Sequence, residues 1–298
     1  MKLSIAIITW NRAKQLVAAL SSCCHCKLPK ETEFVIIDNA STDDTEEKVK
    51  HFFSDKTYPI YYEKMSENLG AGIGRNYAFS KSKGEYVYFL DDDAYIDINT
   101  NMNFFVKGID ILDNHTDIMT LTTQIYDLMW KANRVSENGP IIYGNLRKCF
   151  MVCGGSHFLR RSFFKNTEPY FSNKYGYEEL KPSLLVSDAG YLNVFTPDLT
   201  IIHNPSINKW NYNNEKNQEV LVKYVVNQFV LKSHIYPLIC YPVCYGVYLY
   251  RKYKYLRNTS SAMIHKTITA LESSNNIKKR LKVKTIYRLY RDFGISIF

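Results

Sequence analysis

The 298-residue sequence has no uninterrupted apolar run of 18 residues, so it carries no ordinary membrane-spanning helix. Its first residues, Met-Lys-Leu-Ser-Ile-Ala-Ile-Ile-Thr-Trp-Asn-Arg, hold too short an apolar run for a secretory signal and read straight into a strand. The seven cysteines are an odd number in a chain without an export signal, and reduced thiols in a cytoplasm are the expectation. There is no internal repeat and no long low-complexity segment. With 46% apolar and 22% charged residues, collagen, coiled coil and wholesale disorder are excluded. Acids are nearly missing from the last part of the chain. From Lys216 to Phe298, fifteen Lys and Arg face only Glu219, Glu272 and Asp292, a net +12, whereas residues 1–215 carry −3. Two regions with different electrostatic roles follow from that split.

What is present is a regular alternation. Leu3–Thr9, Phe34–Ile37, Ile60–Tyr62 and Glu85–Leu90 are short apolar or β-branched runs, read as buried strands. Between them, Ala13–Cys24, Glu46–Phe53 and Ile73–Lys81 read as helices. Strand and helix in alternation imply an α/β fold with a mostly parallel sheet flanked by helices. Ligands of such sheets sit beyond the carboxyl ends of the strands. Here those ends carry Thr9, Asn11 and Arg12, then Asp38, then Asp91, Asp92 and Asp93. Residues 94–212 are less regular, with a Gly154-Gly155 turn, the acidic pair Glu178-Glu179 and a late strand ending at His203.

Three consecutive carboxylates after a buried strand are hard oxygen ligands suited to Mg²⁺ or Mn²⁺. Alternation turns Asp91 and Asp93 to one side and Asp92 to the other. A solvated, helix-capping acidic turn is the competing reading. Asp38 could cap its own turn through Ser41 or Thr42, or bond a nucleoside. Cys23-Cys24-His25-Cys26 contains a C-x-x-C, but its place at a helix end favours buried thiols over zinc.

Five segments in order resemble family 2 glycosyltransferases with the nucleotide-diphospho-sugar-binding GT-A fold. They are Ile7–Arg12, Val35–Thr45, Asn68–Asn76, Gly84–Asp93, and a looser set of Gly154–Ser156, Tyr177–Leu180, Asp188–Tyr191 and His203. The resemblance implies a catalytic domain over 1–212, with a nucleotide-binding half at 1–93 and an acceptor half at 94–212. It says little of the helical, basic extension at 213–298. It implies that Thr9, Asn11, Arg12 and Asp38 form the base and ribose pocket, with Arg75 a donor-side or pyrophosphate contact. Asp91 and Asp92 then touch ribose or donor sugar, and Asp93 ligates a Mn²⁺ or Mg²⁺ ion with His203 nearby. The base is expected at Glu179. This sequence has Glu where the family has Asp, and Leu185 where an Arg is frequent, so Glu178 stays an alternative.

The implied reaction is inverting, metal-dependent transfer from a nucleotide-diphosphate sugar, a UDP-sugar first, to a hydroxyl acceptor in surface glycan synthesis. The acceptor is a lipid-linked glycan, a small metabolite or a peptide. A nucleotidyltransferase fits less well, because Thr9-Trp10-Asn11-Arg12 stands where such enzymes carry a Gly-rich loop. A non-catalytic nucleotide-sugar-binding module is the other alternative. In the extension, apolar and aromatic Ile235–Tyr250 is followed by Arg251, Lys252, Lys254 and Arg257, then by Lys278, Lys279, Arg280, Lys282 and Lys284. Such a segment either caps the catalytic domain, pairs two copies as a homodimer, or lies on an anionic membrane surface. The expected location is cytoplasmic, and peripheral on the inner face of the cytoplasmic membrane only where the last of these alternatives holds. No nucleic-acid motif appears.

Overall fold

The computed structural model describes residues 1–134, 139–174, 176–205, 215–257, 259–274 and 279–298. It opens with β1 (Leu3–Thr9), α1 (Ala13–His25), β2 (Thr32–Asp38), α2 (Thr45–Phe53), β3 (Ile60–Lys64), α3 (Gly70–Lys81) and β4 (Tyr86–Asp91). There follow β5 (Ala94–Ile96), α4 (Ile98–Asn101), α5 (Phe104–Asn114), β6 (Ile118–Asp127), β7 (Ala132–Asn133), β8 (Ile141–Tyr143), β9 (Leu146–Lys148) and β10 (Ser156–Arg160). The remaining elements are α6 (Leu180–Ala189), β11 (Leu192–His203), α7 (Glu215–Ile235), α8 (Tyr241–Leu256), α9 (Ser261–Ser274) and α10 (Val283–Phe293).

One sheet runs β3-β2-β1-β4-β10-β6-β11-β9-β8. The first four strands are parallel, as the alternation predicts. β10 then enters antiparallel to both β4 and β6, and β6 and β11 are parallel again. Strands buried on both faces explain the near-continuous apolar runs. Leu3, Ile5 and Ile7 of β1 pack with Leu16 and Leu20 of α1, whereas Ala6 packs with Val35 of β2 and Ala78 of α3 on the other face.

α3 starts at Gly70, three residues before the expected Ile73, and the reason is a close approach. Gly70 has φ +84°, and a Cβ there would lie 2.4 Å from the Lys174 backbone. That space lets the amides of Ala71 and Gly72 donate to the carbonyls of Lys174 and Asn173. The start of α3 is thereby stitched to the loop before Glu178.

The C-terminal helices pack on the α/β body. Leu231, Ile235, Tyr236, Ile286 and Leu289 share a core with Phe171, Leu180 and Leu184. Asp188 at the end of α6 accepts from Lys282 N at 2.9 Å and Thr285 Oγ1 at 2.7 Å. Lys148 of β9 pairs with Asp292 at 2.9 Å. Among the described residues no helix is long and apolar enough to cross a membrane. The expected boundary at 212/213 and Lys278 of the second basic cluster lie outside the described residues.

Candidate active site

The parallel register sets Thr9 beside Asp38 and Ile8 beside Asp91, so the ends of β1, β2 and β4 form one polar edge. Arg12 is the clamp of that edge. Its Nη1 lies 2.6 Å from Asp92 Oδ1 and 2.9 Å from Asp93 Oδ2. Thr9 Oγ1 donates to Asp92 Oδ2 at 2.8 Å. Burial pushes Asp92 up to about 6, with Arg12 working against it and Asp93 adding to it.

Asn11 and Asp38 reach the same edge but brace turns. Asn11 sits at φ +52°, a conformation Asn tolerates, and its Oδ1 accepts from Thr42 N at 2.7 Å. Asp38 is fully buried, accepting from Ser41 N at 2.7 Å and from the Tyr62 hydroxyl at 2.8 Å. The Asx-capping reading of Asp38 is therefore the one its hydrogen bonds follow.

Asp91, Asp93 and His203 each offer an atom within 4.8 Å of the others. His203 ends β11 and reaches Asp93 Oδ1 at 3.3 Å through Nε2, while its Nδ1 is held by Asp127 Oδ2 at 2.8 Å. A carboxylate behind the imidazole orients the ring and leaves the other nitrogen for a ligand. Burial works to lower His203, yet its bond to Asp93 outweighs it and the pKa is raised. Two carboxylate oxygens and an imidazole nitrogen are a donor set that fits Mn²⁺ or Mg²⁺.

Arg75, expected as a donor-side or pyrophosphate contact, lies among acids. Its guanidinium is buried and committed to three carboxylates: Glu178 Oε1 at 2.6 Å, Glu179 Oε1 at 2.8 Å and Asp91 Oδ1 at 2.9 Å. Burial opposes its charge, but Glu179, Glu178 and Asp91 outweigh burial and raise its pKa. Burial also pushes Glu179 above the usual carboxylate range, with Glu178 adding to the effect and Arg75 opposing it. Gly154 makes room for this cluster, since a Cβ there would meet Glu179 Oε1 at 1.8 Å. A left-handed pair, Gly176 at φ +89° and Tyr177 at φ +66°, turns the chain so that both glutamates face inward. Gln228 of α7 donates to the Tyr177 hydroxyl at 2.9 Å, which ties that turn to the C-terminal helices.

The sequence reading missed Asp127, Arg134 and Tyr62. Asp127 closes the apolar run of β6 just as Asp38 and Asp91 close theirs, and that signal could have found it. Arg134 Nε lies 3.6 Å from Asp127 Oδ2. All seven cysteines are free, with Cys23, Cys26, Cys149, Cys240 and Cys244 buried, and among the described residues only Asp91, Asp93 and His203 bring three metal-ligating side chains together.

Comparison with known proteins gives this geometry its setting. A family model for glycosyl transferase family 2 matches residues 4–167. The poly(ribitol-phosphate) beta-N-acetylglucosaminyltransferase TarS of Staphylococcus aureus is 30% identical over 198 residues, 65% of this chain and 33% of that protein. A GalNAc(5)-diNAcBac-PP-undecaprenol beta-1,3-glucosyltransferase of Campylobacter jejuni is 32% identical over 92 residues, 31% of this chain and 29% of that protein. The chain thus spans about a third of the length of these curated relatives. Among solved structures, the mannosyltransferase PcManGT of Pyrobaculum calidifontis with GDP-Man and Mn²⁺ superposes with a TM-score of 0.62 at 13% identity, covering 100% of this chain and 81% of that one. TarS residues 1–349 in complex with UDP-GlcNAc give 0.59 at 17% identity, covering 100% and 89%. At such identities the likeness is one of fold, and the GT-A expectation holds.

Proposed function

The chain belongs to glycosyl transferase family 2, and on that premise we propose that it moves a sugar from a nucleoside-diphosphate donor to a hydroxyl acceptor with inversion. The observation that carries this reading is the convergence of Asp91, Asp93 and His203 at the sheet edge, with Arg75 linking Asp91 to Glu178 and Glu179. A UDP-sugar is the first donor to test. The names of the relatives, a poly(ribitol-phosphate) enzyme and an undecaprenol-linked one, support a surface glycan as acceptor.

In the proposed reaction the acceptor oxygen attacks the anomeric carbon and its proton passes to the Glu179 carboxylate. The bond from that carbon to the diphosphate oxygen breaks, and the nucleoside diphosphate leaves. A single displacement inverts the centre. Asp91, Asp93 and His203 would hold a divalent cation, which would supply Lewis-acid stabilisation of charge on the leaving diphosphate. Arg12 keeps Asp92 and Asp93 together, and Arg75 orients the glutamate pair. The raised pKa of Glu179 suits a base, because proton transfer is most efficient when base pKa and working pH are close.

Thermal stability measured against UDP, GDP, dTDP and CDP, with and without Mn²⁺, tests the reading. One nucleotide is expected to raise the melting temperature only with Mn²⁺, by the equivalent of about 2.7 kcal/mol at a hundredfold excess over Kd. Asp93→Asn is expected to abolish that shift. A shift of equal size without metal, or one that survives Asp93→Asn, refutes the metal assignment.

A further inference from the structure

α8 carries an apolar surface that the other described residues leave uncovered. Its buried stripe is Cys244, Tyr248 and Leu256. On the opposite side Val243, Tyr250 and Tyr253 are exposed, the last two at 62% and 75%, and Leu249 is exposed on the flank beside Leu256. The turn that leads into the helix presents Leu238 at 68% and Ile239 at 76% exposure. Two adjacent branched aliphatic side chains held out at a turn are an unusual cost for a surface that meets only water. The charge on this segment is of one sign. Lys254 and Arg257 are exposed, Lys252 is half-exposed, and no acidic residue occurs between Glu219 and Glu272.

The order along the helix identifies the occupant. Exposed aliphatic side chains at 238, 239 and 243 lie toward the helix start, with Tyr241 among them, and Lys252, Lys254 and Arg257 lie toward its end, interleaved with Tyr253 and Tyr255. A bilayer leaflet presents acyl chains, then the interfacial layer where tyrosine settles, then phosphate. With a rise of about 1.5 Å per residue, Lys254 stands about 16 Å along the axis from Val243. That exceeds the depth of the headgroup layer, so the helix enters obliquely, turn first. A second copy of this chain is a poorer match, because a two-fold contact would bring two patches of the same positive sign into one interface. We propose that the Leu238–Ile239 turn and the exposed face of α8 dock on an anionic lipid surface. This inference does not rest on the sugar-transfer reading and needs no donor.

Flotation of the full chain tests it, using vesicles of phosphatidylcholine alone and of equal parts phosphatidylcholine and phosphatidylglycerol. The protein is expected to float with the mixed vesicles at low salt, and much less with the neutral ones. The double variant Leu238→Asp, Ile239→Asp is expected to lower binding by about tenfold or more. Lys252→Ala, Lys254→Ala and Arg257→Ala are expected to lower it by about fivefold each, with the effect shrinking in high salt. These side chains sit at the surface, so the melting temperature and any nucleotide-dependent shift are expected to stay at the wild-type value. That parallel reading separates failed docking from failed folding and from a wrong enzymatic assignment. Three outcomes overturn the proposal. They are no flotation with the mixed vesicles at low salt, unchanged flotation of the aspartate variant, and a dimer by light scattering that this variant dissolves while no vesicle binds.

Discussion

Arg75 Nη1 donates to Glu179 Oε1 at 2.8 Å across 104 residues of sequence, and in doing so joins the two sides of the acidic cleft. The same guanidinium reaches Asp91 at 2.9 Å, so one side chain spaces a candidate metal ligand from the candidate base. Lysine cannot copy that fork. Arg75→Lys is expected to lower kcat about a hundredfold while nucleotide binding persists, because small misplacements in a reacting pair are costly. Arg75→Ala leaves buried carboxylates without a partner and is expected to destabilise the fold by about 3–5 kcal/mol. Equal kcat in wild type and Arg75→Lys would show that the clamp has no part in catalysis.

The raised pKa of Glu179 sets a direction for pH dependence. A base works deprotonated, so kcat is expected to climb with pH through a value well above the ordinary 4.5 of a glutamate. Glu179→Gln is expected to remove that limb and lower kcat by about 10²–10⁴-fold. Stability runs the other way. The folded state holds the proton that the unfolded state releases near 4.5, so this group costs stability as pH rises from there toward its folded pKa. Glu179→Gln therefore flattens the decline of melting temperature with pH in that window. A pH–rate profile identical in the variant would assign the base elsewhere, with Glu178 next.

Asp127 reaches the candidate metal site through His203, whose Nδ1 it holds at 2.8 Å. Asp127→Asn is expected to weaken Mn²⁺ binding about 10–100-fold, the usual effect of losing a carboxylate behind a histidine ligand. Calorimetric titration of Mn²⁺ into the variant in the presence of nucleotide reads this directly. Wild-type affinity in Asp127→Asn would mean that His203 does not ligate the ion.

Lys232 of α7 is buried, its amine has no hydrogen-bond partner among the described residues, and it lies 5.6 Å from the centre of the Phe150 ring. Burial, with Arg251 adding, pushes its pKa down to about 7. The unfolded chain takes up a proton that the folded chain refuses, so the stability this residue costs is recovered as pH rises between about 7 and 10.5. Lys232→Met keeps the bulk and removes the charge. It is expected to raise the melting temperature by about 2–4 °C at neutral pH, for roughly 1 kcal/mol gained. A lower melting temperature would mean that the amine is held by a contact worth more than its desolvation.

Legibility followed the range of the interactions. β1, β2, β3 and β4 were readable because each is a short apolar run with its own polar end, and His203 because it closes such a run. The antiparallel insertion of β10 between β4 and β6 was not, since nothing in Ser156–Arg160 states which strands it will join. Arg75 stands out in the sequence as a donor-side or pyrophosphate candidate, but its carboxylate partners lie 16, 103 and 104 positions away and no local pattern announces them. Asp38 shows the reverse case. Ser41, three positions on, competes for its carboxylate, and the local bond formed.

Both clamping arginines lie upstream of the acids they hold. Arg12 precedes Asp92 by 80 positions, and Arg75 precedes Glu179 by 104. A chain made N-terminus first at about 5–20 residues per second therefore carries the Arg75 cation for about 5–20 s before Glu179 exists. Each carboxylate that emerges finds its counter-charge already waiting, and the nascent cleft is never a bare cluster of like charges. A truncated product that stops before Glu178 is left with the opposite fault, an arginine made for three acids and holding one.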